Sequence, residues 1–223
     1  MQPDDHVGHE PDAGPGAPGG QPEHFRVAGL LLAAGQGSRL GRPKALVEIG
    51  GMTLAERGVA LLRAGGADPI VMVTGAAPVS LPGVITAHNP DWRTGMGSSL
   101  REGLETLPAD WDAVVIALVD QPLIGPEAVR RLIAAFTEGA EIAVACYAGQ
   151  PRNPVMSGQA HWADAAAAAH GDTGARGYLR AHQDLVRAVE CGDVARPDDL
   201  DTPDDLVRIA ALFSGVDALA DRD

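Results

Sequence analysis

The chain is poor in cysteine, lysine and aromatic residues, and each shortage removes a class of explanation. Two cysteines in 223 residues, Cys146 and Cys191, cannot build a disulfide framework, and no CxxC spacing suggests zinc or thiol redox chemistry. A reducing, cytoplasmic compartment is expected, with both thiols packed as small buried hydrophobes. Positive charge is also scarce: 17 Lys and Arg stand against 30 Asp and Glu, a formal net charge of -13. Nucleic acid and anionic membrane surfaces are therefore poor partners, because both need clustered cations that neutralise phosphates. No apolar run approaches the length of a membrane span, and the N-terminus lacks the basic-then-apolar order of a secretory signal.

What is present supports one core. Hydrophobic residues make up 45% of the chain, enough for a single domain over residues 25–214 and tight for two. Residues 1–24 are dominated by Pro, Gly, Asp and Glu and read as a disordered tail. Residues 215–223 read as a short polar C-terminal tail. His6, His9 and His24 in the N-terminal stretch show no ligand spacing, nor do His88, His161, His170 and His182.

Short, nearly continuous apolar runs predict strands buried on both faces at Val27–Ala33, Ile70–Thr74, Gly83–His88, Ala113–Val119 and Glu141–Cys146. Helical periodicity falls between them at Leu54–Ala64, Ser98–Leu107 and Pro126–Phe136, the last with proline at its start. Strands alternating with helices predict an α/β layered domain. The second half is less regular: a short strand or extended loop at Arg152–Met156, helices at Ala160–Ala169 and Gly174–His182, and a strand at Leu185–Glu190. A helix at Pro203–Phe213, capped by Thr202, follows.

The first strand runs into Ala33-Ala34-Gly35-Gln36-Gly37-Ser38-Arg39-Leu40-Gly41-Arg42-Pro43-Lys44. A glycine-rich loop after a first parallel strand holds phosphate because backbone N–H groups approach the oxygens with no Cβ in the way. It is not a Walker A loop, since Lys44 is followed by Ala45 and the hydroxyl that would hold magnesium is missing. It also fails the dinucleotide fingerprint: Leu40 stands at the third glycine position, and Pro43 drives Arg42 out of helical geometry. A longer open loop that wraps a triphosphate and carries its own cations, Arg39 and Lys44, remains. Lys44 is the only lysine, in a chain that otherwise uses arginine, so a compact ammonium has been kept at one place on a phosphate loop.

The segment Leu32 to Lys44 resembles the signature loop of sugar-nucleotide and molybdenum-cofactor nucleotidyltransferases, in particular the MobA-like family and its MocA-type cytidylyltransferases. Further motifs follow in register: Asn89-Pro90-Asp91-Trp92, Gly95-Met96-Gly97-Ser98-Ser99-Leu100, Asp120-Gln121-Pro122 and Arg152-Asn153-Pro154-Val155. Gly171-Asp172-Thr173-Gly174-Ala175-Arg176 and Asp199-Leu200-Asp201-Thr202-Pro203 complete the series. The resemblance covers roughly residues 26–213 and implies a Rossmann-like three-layer α/β/α fold with a mostly parallel sheet.

Asp120 ends an apolar strand, which brings its carboxylate to the carboxyl edge of the sheet, where α/β folds bind ligands and where magnesium needs one or two carboxylates besides phosphate. The resemblance implies that metal role for Asp120, with Asp201 or Asp199 as a second carboxylate. It places Leu32, Ala33, Ala34, Gly35, Gly37, Ser38, Arg39, Lys44, Asn89, Gly97 and Ser98 at the nucleotide, and Arg152, Asn153, Asp172 and Arg176 at the acceptor. Arg39, Lys44 and Asp120 are the implied catalytic set. Ala34 matches the cytidylyl members, whereas guanylyl members usually have glycine there, which favours CTP. The implied reaction moves CMP onto the phosphate of molybdopterin or the molybdenum cofactor, with a transient contact to a molybdenum enzyme or its chaperone. Three alternatives stay open: a guanylyltransferase on another phosphorylated metabolite, an NAD(P)H-dependent enzyme like the nicotine blue oxidoreductases, and a non-catalytic pterin carrier.

Overall fold

The computed structural model describes residues 25–220, with side chains through Phe213. The expected disordered tail at residues 1–24 lies outside the described residues. Strands β1 (Val27–Leu32), β4 (Ile70–Thr74), β5 (Ile85–His88) and β6 (Ala113–Leu118) alternate with helices α1 (Leu54–Ala64) and α2 (Met96–Thr106), and β2 (Glu48–Ile49) and β3 (Met52–Thr53) form a small hairpin before α1. Then come α3 (Pro126–Thr137), β7 (Ile142–Tyr147), β8 (Gln150–Gly158), α4 (Trp162–Ala168), α5 (Arg176–Ala181), β9 (Val186–Glu190) and α6 (Pro203–Ala220). Seven strands form one sheet in the order β5-β4-β1-β6-β8-β7-β9. Only β8 runs against the others, pairing antiparallel with both β6 and β7.

The sheet has a helix layer on each face. Alternation along β1 sends Leu31 to one side, into a core shared with α1, α3 and Ile209 of α6, and sends Leu30 and Leu32 to the other, against Leu100 of α2, Trp162 of α4 and Tyr178 of α5. That is the expected three-layer α/β/α arrangement. Along the sheet, the chain steps outward from β1 through β4 to β5, then crosses back to place β6 on the other side of β1. The sheet's switch point therefore lies between β1 and β6, at whose carboxyl ends such folds bind ligands.

Several boundaries differ from the expectation for physical reasons. The segment read as a short strand or loop at Arg152–Met156 is the nine-residue β8, whose prolines at 151 and 154 and polar first half mask the strand pattern. The Lys44–Leu46 turn and the β2–β3 hairpin were not anticipated, since two-residue strands carry no periodicity. The last helix starts at Pro203 as expected and runs on to Ala220, into the stretch read as a polar tail. No described helix is long and apolar enough to cross a membrane.

The starts of α1 and α6, the first and last helices, are both capped reciprocally. Thr53 and Glu56 form a capping box at α1. Thr202 caps α6 as expected: its hydroxyl accepts from the Asp205 N–H at 3.2 Å, while Asp205 accepts from the Thr202 N–H at 3.0 Å. Bonds from Thr202 and Arg208 depress the Asp205 carboxyl to about 2 from an ordinary 3.8. A depressed carboxyl stabilises the fold above its unfolded value and loses that contribution as pH falls through the folded one. We expect Asp205→Ala to lower the urea midpoint at neutral pH and the gap from the wild type to close between pH 3.8 and about 2; a gap independent of pH would reject the capping carboxylate.

Candidate active site

The glycine loop leaves β1 at Ala33, and Val119 at the end of β6 donates its N–H to Leu32 O at 3.2 Å, so the loop and Asp120 emerge side by side. The loop is folded tightly on itself. Gly37 has φ +63°, and a Cβ there would stand 2.2 Å from Arg42 O, so no other residue fits without moving the backbone that leads into Lys44. The chain then turns through Lys44–Leu46 and sends the lysine back beneath the loop.

Asp201 arrives from the far end of the sequence. Leu200 is fully buried in the core on the α1 and α3 side, and its N–H donates to Asp120 O at 2.8 Å, which locks the late segment alongside the end of β6. Its two flanking aspartates line a cleft. Lys44 Nζ donates to Asp120 Oδ2 at 2.6 Å and to Asp201 Oδ1, while Arg39 approaches Asp201 at 3.8 Å with its side chain 76% exposed. Asp199 accepts from Gln121 Nε2 at 2.8 Å, a further tie to the end of β6.

Burial opposes charge on the Lys44 amine, but the adjacent Asp120 and Asp201 carboxylates outweigh it and hold the amine above the ordinary lysine value. Burial likewise pushes the Asp120 carboxyl up, against the pull of the Lys44 ammonium. One cation thus serves two carboxylates, and the pair keeps spare capacity for positive charge. Asp120 Oδ1 is buried without a hydrogen-bond partner among the described residues. These features fit a divalent cation held by Asp120 and Asp201. No group of three or more His, Cys, Asp or Glu among the described residues is arranged to hold a metal, so phosphate oxygens would have to complete the shell.

Two clefts meet here. The first, about 560 Å³, is lined by Leu32, Ala34, Gly35, Ser38 and Lys44 from the loop side, by Trp92, Arg93, Gly95, Met96 and Ser99 around the start of α2, and by Asp120 and Asp172. The second, about 500 Å³, has Arg152, Asn153, Arg176 and Arg180 on its walls together with Gln121, Asp199 and Asp201. Asp120, Leu118 and Met96 belong to both.

This geometry sorts the residues singled out in the sequence. Leu32, Ala34, Gly35, Ser38 and Lys44 share the first cleft; Arg152, Asn153 and Arg176 share the second. Asp172 falls in the first cleft, not in the acceptor group to which the sequence assigned it. Ala33 is core, Gly37 shapes the loop, and Arg39 stands at the rim. Asn89, Gly97 and Ser98 lie behind the wall. Asn89 is 2% exposed and donates to Ser98 Oγ at 2.8 Å and Ser99 Oγ at 3.0 Å; Ser98 Oγ donates to Asp91 O or Gly95 O. Their polar groups are spent on one another, fixing the turn into α2. Gly97 abuts the backbone of residues 169 and 170, where a Cβ would stand 2.7 Å from Ala169 C. We expect Gly97→Ala to cost about 1–3 kcal/mol in urea unfolding, because backbone cannot swing aside as a side chain can; an unchanged midpoint would show that this packing is loose. Arg93 and Arg180 were not anticipated, whereas Trp92 and Ser99, which stand in the motifs read from the sequence, line the first cleft.

A model of the MobA-like NTP transferase domain matches residues 29–186, a span holding the glycine loop, Lys44, Asp120 and the walls of both clefts apart from Asp199 and Asp201. The chain belongs to that family. This MobA-like transferase is 35% identical to the nicotine blue oxidoreductase of Paenarthrobacter nicotinovorans over 197 residues, covering 82% of the chain and 96% of that protein. It is 33% identical over 121 residues to the molybdenum cofactor guanylyltransferase of Rhodobacter capsulatus, covering 50% of the chain and 60% of that protein. Among solved structures it is similar to a Mycobacterium sp. strain JC1 homologue of Mycobacterium tuberculosis Rv0371c, with a TM-score of 0.76, 34% identity and coverage of 86% and 98% of the two chains. Rv0371c itself, in a complex with manganese, superposes with a TM-score of 0.67 at 27% identity, covering 84% and 98%. The MobA-like transferase is thus a nucleotidyltransferase by family and by fold.

Proposed function

We propose that the protein moves CMP from CTP onto the phosphate of a molybdopterin-type acceptor, releasing pyrophosphate, with magnesium held by Asp120 and Asp201. The observation that carries this reading is the meeting of two clefts at Asp120, one entered from the glycine loop and one walled by three arginines. A transfer reaction needs donor and acceptor to reach one point from two sides. Ala34, the position tied to the cytidylyl members, lines the first cleft and supports CTP.

In this reading the loop N–H groups and Ser38 hold the triphosphate, and Lys44, with two ammonium hydrogens on the carboxylates, gives its third to a phosphate oxygen. Arg39, exposed and 3.8 Å from Asp201, folds over from the rim. Arg152, Arg176 and Arg180 hold the acceptor phosphate so that an oxygen lies in line with the α-phosphorus. That oxygen is ionised near neutral pH, so no general base is needed. The new P–O bond forms as the bond to the β-phosphate oxygen breaks and pyrophosphate leaves. Magnesium bound by the aspartates supplies charge neutralisation at the α-phosphate.

The test is pyrophosphate release with magnesium and each of CTP, GTP, ATP and UTP, with and without molybdopterin. Release with CTP that depends on acceptor supports the proposal; release only with GTP moves it to the guanylyl alternative. The full-length similarity to nicotine blue oxidoreductase favours one second reading, oxidation of NADPH by a quinonoid heterocycle in the same clefts. Neither Cys146 nor Cys191 lines either cleft, so a thiol redox step has no support there. NADPH consumption with a quinonoid dye, alongside silence with all four triphosphates, would overturn the transferase proposal.

A further inference from the structure

The donor cleft contains a carboxylate that the transfer chemistry leaves unused. Asp172 lines that cleft, is exposed, and has no hydrogen bond or ion pair within the described residues. A carboxylate beside a triphosphate is repelled by it, so its partner in the bound state is a hydrogen-bond donor.

Its place in the fold narrows which donor. The segment 171–176 runs along the seam between the clefts: Asp172 lines the first, Arg176 the second, and a Cβ on Gly174 between them would lie 3.1 Å from the sulfur of Met96, which lines both. Asp172 itself is set against the start of α2, its Oδ1 2.8 Å from where a Cβ on Gly95 would stand. The segment is held from behind by Arg101, which donates to Ala169 O, and by Thr173, whose hydroxyl donates to His170 O at 2.6 Å. The carboxylate is therefore presented at the seam on packed backbone.

In the transferase reading, on which this inference rests, the α-phosphorus sits at that seam. The group bonded to it on the donor side is the ribose, while the base and the outer phosphates lie farther off. A ribose offers two adjacent hydroxyl donors, and a carboxylate offers two acceptor oxygens. We infer that Asp172 accepts hydrogen bonds from the ribose hydroxyls and selects ribonucleotides over deoxyribonucleotides.

The experiment is calorimetric titration of the full chain with the magnesium complexes of CTP, 2′-deoxy-CTP, UTP, ATP and GTP, for the wild type and Asp172→Ala, with circular dichroism confirming that both fold. The wild type should bind CTP about tenfold tighter than the deoxynucleotide, the scale of a hydrogen bond to a charged group. Asp172→Ala should abolish the preference, weakening CTP by about tenfold more than the deoxynucleotide, which loses only the bond from its 3′ hydroxyl. Equal binding of the two nucleotides by the wild type, or an equal loss for both in the variant, overturns the inference alone. A variant that instead loses preference between CTP and UTP assigns Asp172 to the base and also overturns it. Wild-type protein that binds none of the four ribonucleoside triphosphates overturns the transferase reading and the inference with it.

Discussion

Lys44→Ala should lower kcat by about a hundredfold or more, read as pyrophosphate release at saturating magnesium nucleotide and acceptor. The size follows from where the ammonium sits. With a side chain 15% exposed and two carboxylates bonded to it, Lys44 is a fixed charge in a poorly solvated place, already aimed at the junction of the clefts. Such a charge acts on a transition state without the reorganisation that water would need. Lys44→Arg should not restore the rate, since a planar fork cannot take the place of a point donor between two carboxylates. Removing the lysine also leaves Asp120 without its cation, so thermal unfolding should be followed alongside, and a lowered Tm is expected. A loss of less than threefold in kcat would remove Lys44 from the mechanism.

The second large effect is expected for Asp120→Asn. The amide keeps the size of the side chain and one oxygen that can accept from Lys44 Nζ, but it removes the charge proposed to hold the metal. Turnover should fall by about a hundredfold or more at every magnesium concentration, with the fold retained. Activity equal to the wild type across a magnesium titration would reject the metal assignment. Asp201→Asn should be milder, because Asp201 is more exposed than Asp120, 41% against 21% of its side chain, and water can substitute for it more readily.

The layers of the fold were legible because burial on both faces leaves a plain mark. The runs at Val27, Ile70 and Ala113 have no polar residue to break them, and the periodicity of Leu54–Ala64 marked the bounds of helix α1. The polarity of β8 was not legible, since an antiparallel strand inserted in a parallel sheet follows from the short Ala148–Gly149 connection after β7 and from no pattern within the strand itself. In the site, Lys44 stood out by its rarity and Asp120 by its place at a strand end. Asn89 and Ser98 misled for an instructive reason. A polar residue in a glycine-rich turn looks the same in sequence whether it faces a ligand or another polar side chain, and here the hydrogen bonds are closed among Asn89, Ser98 and Ser99. The resemblance grouped Asp172 with Arg176 at the acceptor, and nothing in the order of residues reveals that the two line different clefts.

The locking of Leu200 against Asp120 O has a bearing on how the protein comes into being. The glycine loop, Lys44 and Asp120 are synthesised before Asp201, and the loop and Asp120 follow directly on β1 and β6, which pair with each other. Asp199 and Asp201 come about eighty residues after Asp120, beyond the span that matches the family. Until that stretch has docked, Lys44 faces a single carboxylate and the second cleft lacks part of its wall. A nascent chain can therefore fold its glycine loop well before both carboxylates that Lys44 bonds are in place, and the cluster closes only when a stretch distant in sequence docks beside the end of β6.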